Sequence, residues 1–161
     1  MFGEASNFRI MMDVTSQPTA VETHRLVFVS HSGEDTWVAK QIAREIEACG
    51  AKPFLDEAEI DAGADFEEDI RKFLERAHEL VVLLTPWALE RPYVWIELGA
   101  AWGRRVPIVA LLLGLRPGEL QSRPGLPVLL KKRDLLRLNE IDAYLGQLRR
   151  RVEKHGTGEL Q

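Results

Sequence analysis

The chain has a single cysteine, Cys49, so no disulfide can form within it, and it suits a reducing compartment. Cys49 stands just before Gly50 at the end of a helical pattern, where it reads as an inert packed thiol. Long hydrophobic runs are missing too: the longest, Val106 to Leu115, is too short to span a bilayer. Glu4, Arg9 and Asp13 interrupt the start, where a signal peptide would need an apolar stretch. These absences predict a cytoplasmic protein with no membrane partner. The net charge of −4 shows no excess of base and argues against nucleic acid as the main partner. No GxxxxGK(S/T) or GxGxxG phosphate loop follows a strand pattern, and no GxSxG elbow occurs. His24, His31, His78 and His155 lack metal-ligand spacing, so no metal is expected. The segment from Glu57 to Glu68 approximates a calcium loop, but Ala62 stands where the turn glycine belongs.

What is present is an ordinary globular composition, 45% hydrophobic and 29% charged over 161 residues. That is enough for one domain with a real core. Residues 1–23 show no periodicity and read as a flexible N-terminal extension, 24–155 as the domain, and 156–161 as a C-terminal tail. Leu26 to Val29 is a short apolar run of the kind buried on both faces of a sheet. Val38, Ile42 and Ile46 then repeat at helical spacing up to Gly50. Lys52 to Leu55 predicts a second strand, whose Pro53 suits an edge. Asp65 with Glu68 opens a helix carrying Phe66, Ile70, Phe73, Leu74 and Ala77 on one face. Leu80 to Leu84 and Pro107 to Leu113 predict the third and fourth strands. A Pro/Gly-rich stretch, Arg116 to Pro127, leads to a weak fifth at Val128 to Leu130, and a final helix runs from Asn139 to Glu153.

Strands alternating with helices predict an α/β chain with a five-stranded parallel sheet in a flavodoxin-like three-layer sandwich. In such folds ligands bind beyond the carboxyl ends of the strands. His31 and Ser32, the segment from Asp56 to Phe66, and the helix containing Glu97 all follow strand ends. Between Arg91 and Arg104, Glu97 is the only carboxylate, set among Tyr93, Val94, Trp95, Ile96, Leu98 and Trp102. Desolvation penalises a buried charge, so native proteins pair such a group or keep it for chemistry. The functional reading has Glu97 opening into a cleft. The bland one has it on a wet face near the helix start, or paired with Arg104.

Taken together the segments resemble a bacterial TIR domain. Val27-Phe28-Val29-Ser30-His31-Ser32-Gly33-Glu34-Asp35 is similar to that family's opening strand and turn. Phe54 to Gly63 resembles the strand and BB loop, and Val81 to Pro86 the hydrophobic strand ending in Ser/Thr-Pro. Tyr93-Val94-Trp95-Ile96-Glu97-Leu98 resembles the segment holding the catalytic glutamate of enzymatic members. The resemblance implies cleavage of NAD⁺ at the nicotinamide–ribose bond, in antiviral defence or signalling, with NAD⁺ as substrate and no cofactor. It implies Glu97 as the catalytic residue and His31, Ser32, Asp61, Phe66 and Tyr93 as substrate-binding residues. Tyr93 stands where Trp is common, and the basic residue many relatives carry near His31 is missing. Self-association through the loop 56–66 is implied, so the enzyme is expected to act only when assembled, with a separate sensor or effector protein as a further partner. Taken singly, Phe66 reads as a staple of its helix and Ser32 as a helix cap. Two other classes compete: a non-catalytic TIR adaptor, and an enzyme like the nucleoside deoxyribosyltransferases.

Overall fold

The computed structural model describes residues 24–55, 65–124 and 135–157. Five strands, β1 (Leu26–Ser30), β2 (Lys52–Leu55), β3 (Glu79–Leu84), β4 (Ile108–Leu112) and β5 (Leu135–Arg137), form one parallel sheet in the order β2-β1-β3-β4-β5. Helices α1 (Thr36–Ala48), α2 (Asp65–Arg76), α3 (Pro92–Gly103), α4 (Pro117–Ser122) and α5 (Ile141–Thr157) connect or follow them. This is the flavodoxin-like α/β architecture the alternating pattern predicts. Pro53 sits in β2, at the sheet edge, where a missing N–H costs no ladder bond.

Side chains alternate across each strand, so each supplies two cores. Val27, Val29, Val81, Leu83 and Leu111 pack with Ala39, Ile42, Ile46, Leu145 and Leu148 of α1 and α5. Phe28, Leu80, Val82, Leu84 and Leu112 face the other way, against Leu74 of α2 and Val94, Leu98 and Ala101 of α3. This double covering explains why the central strands are almost unbroken apolar runs. Cys49 is buried in the first of these cores, and burial pushes its thiol pKa up, as expected of an inert side chain. Among the described residues no helix is long and apolar enough to cross a membrane.

Three expectations shift. The described fifth strand is Leu135–Arg137, while the expected Val128 to Leu130 lies outside the described residues. With only Leu135 and Leu136 beside a charged run, β5 leaves little periodic signal. The stretch after Arg116 contains the short α4, started by Pro117 at its first position and by Glu119 accepting from the Arg116 N–H at 3.3 Å. The last helix begins at Ile141, not Asn139, because a 3-10 turn, Leu138–Glu140, precedes it, and it continues to Thr157.

Tyr144 of α5 is buried in the core, its hydroxyl without a hydrogen-bond partner among the described residues and the Arg151 guanidinium 5.9 Å from its ring centre. Burial, above all, raises its phenol far beyond the ordinary value. A folded pKa above the unfolded one, about 10, means the contribution is fully present below that pH. It is lost as pH rises, because the unfolded chain then releases a proton the folded chain keeps. Urea midpoints measured from pH 9 to 11 should therefore fall more steeply for the wild type than for Tyr144→Phe. At pH 7 the variant should be at least as stable, since it removes a buried polar atom that has no partner. Parallel alkaline slopes would refute this.

Candidate functional site

Two segments build the carboxyl edge of the sheet around Glu97. The first is the end of β1, where Ser30 is the last strand residue and His31 and Ser32 lead into a 3-10 turn, Gly33–Asp35. The second is α3, which starts with Pro92, a residue that has no N–H to leave unsatisfied in a first turn. Tyr93 and Glu97 lie one turn apart on the same side of α3. An ion pair between Arg91 and Glu34 fastens the start of α3 to the 3-10 turn.

Glu97 faces inward with Val94, Leu98 and Ala101, and is only 1% exposed. The Ser30 hydroxyl donates a hydrogen bond to its Oε2, and Oε1 is buried as well. Both bland readings fail: Glu97 is not on a wet face, and Arg104 pairs with Glu75, at 3.7 Å. The expectation of a carboxyl opening into a cleft fails too. In this conformation the inner face of α3 is pressed onto the sheet, and the carboxyl goes under with it. Tyr93, half-buried, donates its hydroxyl to the His31 carbonyl at 3.3 Å. Burial and then the negative field of Glu97 raise the Tyr93 phenol above its ordinary range.

His31 is buried, with Nδ1 at 3.4 Å from the Val29 carbonyl and Nε2 at 3.4 Å from the Thr36 hydroxyl. Ser32 does not cap a helix. Its hydroxyl donates to Asp35 Oδ2, which also accepts from the Thr85 hydroxyl at 2.5 Å. Thr85 in turn accepts the Ala88 N–H at 3.0 Å. This buried chain ties the turn after β1 to the turn after β3 and so fixes where α3 starts. Thr85→Val would leave the Ala88 N–H without its acceptor and Asp35 short of one donor. The expected cost is about 1–3 kcal/mol, seen as a lower urea midpoint with an unchanged slope.

The structure thus brings Glu97, Tyr93, His31 and Ser32 together. Asp61 lies outside the described residues, and of Phe66 only the helical backbone is described. Sequence reasoning missed Ser30, the hydroxyl on Glu97. The signal was there: period-two alternation from Phe28 places Ser30 on the face that α3 covers. A cavity of about 150 Å³, lined by Leu26, Lys52, Phe54 and Arg76 among others, lies at the opposite, amino edge of the sheet and does not include Glu97. Among the described residues no three His, Cys, Asp or Glu side chains come together as a metal site would require.

Comparison with known proteins agrees with this architecture. The family profile described as TIR domain matches residues 27–149. No curated protein matches the chain. Among solved structures, the TIR domain of a Toll-related receptor from Hydra magnipapillata is similar at 21% identity and TM-score 0.57, covering 79% of this chain and 97% of that one. A metazoan TIR-STING receptor from C. gigas is similar at 17% identity and TM-score 0.59, covering 79% of this chain and 40% of that one. A 2-desoxiribosyltransferase from Leishmania mexicana has 11% identity and TM-score 0.59, covering 76% and 97%. At these identities the likeness is one of fold.

Proposed function

The chain belongs to the TIR-domain family, and from that premise we propose that it cleaves NAD⁺ at the nicotinamide–ribose bond, as a glycohydrolase or ADP-ribosyl cyclase in bacterial antiviral defence or signalling. The observation that supports this reading is the Glu97 carboxyl, held by Ser30 at the carboxyl edge of the sheet beside Tyr93 and His31. Nicotinamide leaves a cationic pyridinium as a neutral molecule, taking the electron pair of the broken C–N bond. No acid has to protonate it, so the paired carboxylates of ordinary glycosidases are unnecessary. The oxocarbenium-like ribose needs negative charge nearby, and one fixed carboxylate supplies it. Water then adds at the ribose carbon and loses a proton, giving ADP-ribose; attack by an adenine nitrogen of the same molecule gives the cyclic product.

Substrate reaches Glu97 only if the Ser30 contact opens. The closed carboxyl therefore suits an enzyme idle as a single chain and competent once assembled, with the segment 56–66 as one contact between copies. The same burial favours a second reading, a non-catalytic module that acts through association of TIR domains. Incubating assembled protein with NAD⁺ separates the two. Nicotinamide release supports the enzyme, and its absence where light scattering shows assembly supports the adaptor. Release of free base from deoxynucleosides would instead support deoxyribosyltransferase chemistry.

A further inference from the structure

The cavity at the amino edge of the sheet lies between the starts of β1 and β2 and the end of α2, at the opposite edge from Glu97. Its volume of about 150 Å³ is that of a protein cavity that takes up benzene. Leu26, Phe28, Phe54 and Ala77 give it an apolar wall, in which the Phe28 and Phe54 rings lie nearly parallel, at 13°, with centres 6.1 Å apart. Lys52 and Arg76 add two positive charges to the lining. Phe28 is buried and Phe54 and Ala77 are half-buried, whereas Lys52 and Arg76 are exposed. The rings therefore stand inward and the charges stand toward water.

This lining selects among ligand classes. None of the described lining residues is acidic, so a cationic ligand would find nothing to pair with. The acids next in sequence are engaged elsewhere, Glu75 with Arg104 and Glu79 with Arg25 and Arg151. The backbone donors at this edge are in use as well. The Leu26 N–H donates to His78 Nδ1 at 2.9 Å, and the Lys52 N–H donates to the Arg25 carbonyl at 2.8 Å. A sugar would lose its hydrogen bonds to water and regain few against the apolar wall. A bare inorganic anion would leave that wall uncovered. What matches is a flat apolar body with one negative charge at its end. An arginine carries five N–H donors and a lysine three, so each can hold a carboxylate oxygen alongside its present neighbours.

We infer that this cavity is a binding site for a small aromatic carboxylate, with the ring against Phe28 and Phe54 and the carboxylate between Lys52 and Arg76. A ring suits the site better than an aliphatic chain of the same volume. It makes favourable edge and offset contacts with phenylalanine, and it has no rotatable bonds to freeze. The site lies outside the proposed NAD⁺ chemistry and stands whether or not Glu97 is catalytic, because its test reads binding and not turnover.

Benzoate is the probe. Titrated into the full chain and followed by amide NMR spectra, it should saturate with a dissociation constant of roughly 10⁻⁴–10⁻³ M, as about nine heavy atoms of intermediate efficiency give. The largest shifts should fall on Leu26, Lys52, Phe54 and Ala77. Benzene, which lacks the charge, should bind roughly three- to tenfold more weakly, the worth of two exposed ion pairs. Acetate, which lacks the ring, should not saturate. Lys52→Gln and Arg76→Gln, both at exposed positions, should each weaken benzoate about two- to fivefold and leave benzene unchanged. Benzoate that fails to saturate by about 10 mM, tenfold above the expected range, overturns the inference. So do shifts clustered away from the cavity, glutamine variants that both bind benzoate as the wild type does, or acetate that binds as well as benzoate.

Discussion

Glu97→Gln is expected to lower nicotinamide release from NAD⁺ by about a hundredfold or more while leaving the fold intact. The amide matches the carboxyl in size, and its oxygen can accept the Ser30 hydroxyl in place of Oε2. It lacks the negative charge that an oxocarbenium-like ribose requires, and losing one preorganised electrostatic contact costs about 10²–10³ in rate. The loss should fall on kcat, since charge develops at the ribose only in the transition state. Burial of an ionised carboxyl opposes folding, so the urea midpoint of the variant should equal or exceed that of the wild type. Two outcomes would sink the catalytic assignment. One is full activity of Glu97→Gln; the other is a rate loss matched by a fall in stability. Ser30→Ala is a useful companion. Removing the hydroxyl takes the donor away from Oε2 but keeps the carboxyl group, so the two variants separate the need for the carboxyl from the need to hold it.

How much of this was legible in advance depends on how each feature is encoded. The central strands were readable because burial on both faces leaves runs such as Leu80 to Leu84 with no polar interruption. β5 was not, since three residues at a sheet edge carry too little apolar surface to stand out from the basic run before them. Glu97 drew notice because a lone carboxylate among apolar neighbours is costly. Its burial follows from the face it shares with Val94, Leu98 and Ala101. Local sequence offers no sign that it would be closed over, because closure depends on Ser30 at the end of β1, sixty-odd residues away in the chain. The Ser32–Asp35–Thr85 chain was hidden for the same reason. Each member is ordinary alone, and only the adjacency of β1 and β3 gives them a shared carboxylate.

The largest stability effect is expected at the other edge of the sheet. Glu79, the first residue of β3, is 1% exposed. Its Oε1 meets Arg25 Nε at 3.1 Å and its Oε2 meets Arg151 Nη2 at 3.0 Å. One carboxylate thus joins the approach to β1, the start of the central strand and the last helix. Glu79→Gln would leave two guanidinium groups facing a neutral amide. Removing one member of a buried ion pair typically costs 3–5 kcal/mol, mostly because the remaining charge is left uncompensated. Arg151 retains some access to water, with a side chain 33% exposed, which places the expected loss at the lower end, about 3 kcal/mol. For a chain of this size that lowers the melting temperature by about 6–12 °C. Arg151→Met should cost less, because Glu79 keeps Arg25 as its partner. Replacing all three charged residues by apolar ones of similar volume should recover most of the loss, since the desolvation cost of the charges goes with them. A Glu79→Gln melting temperature within a degree or two of the wild type would mean that water already shares this cluster and that α5 is held by its apolar face alone.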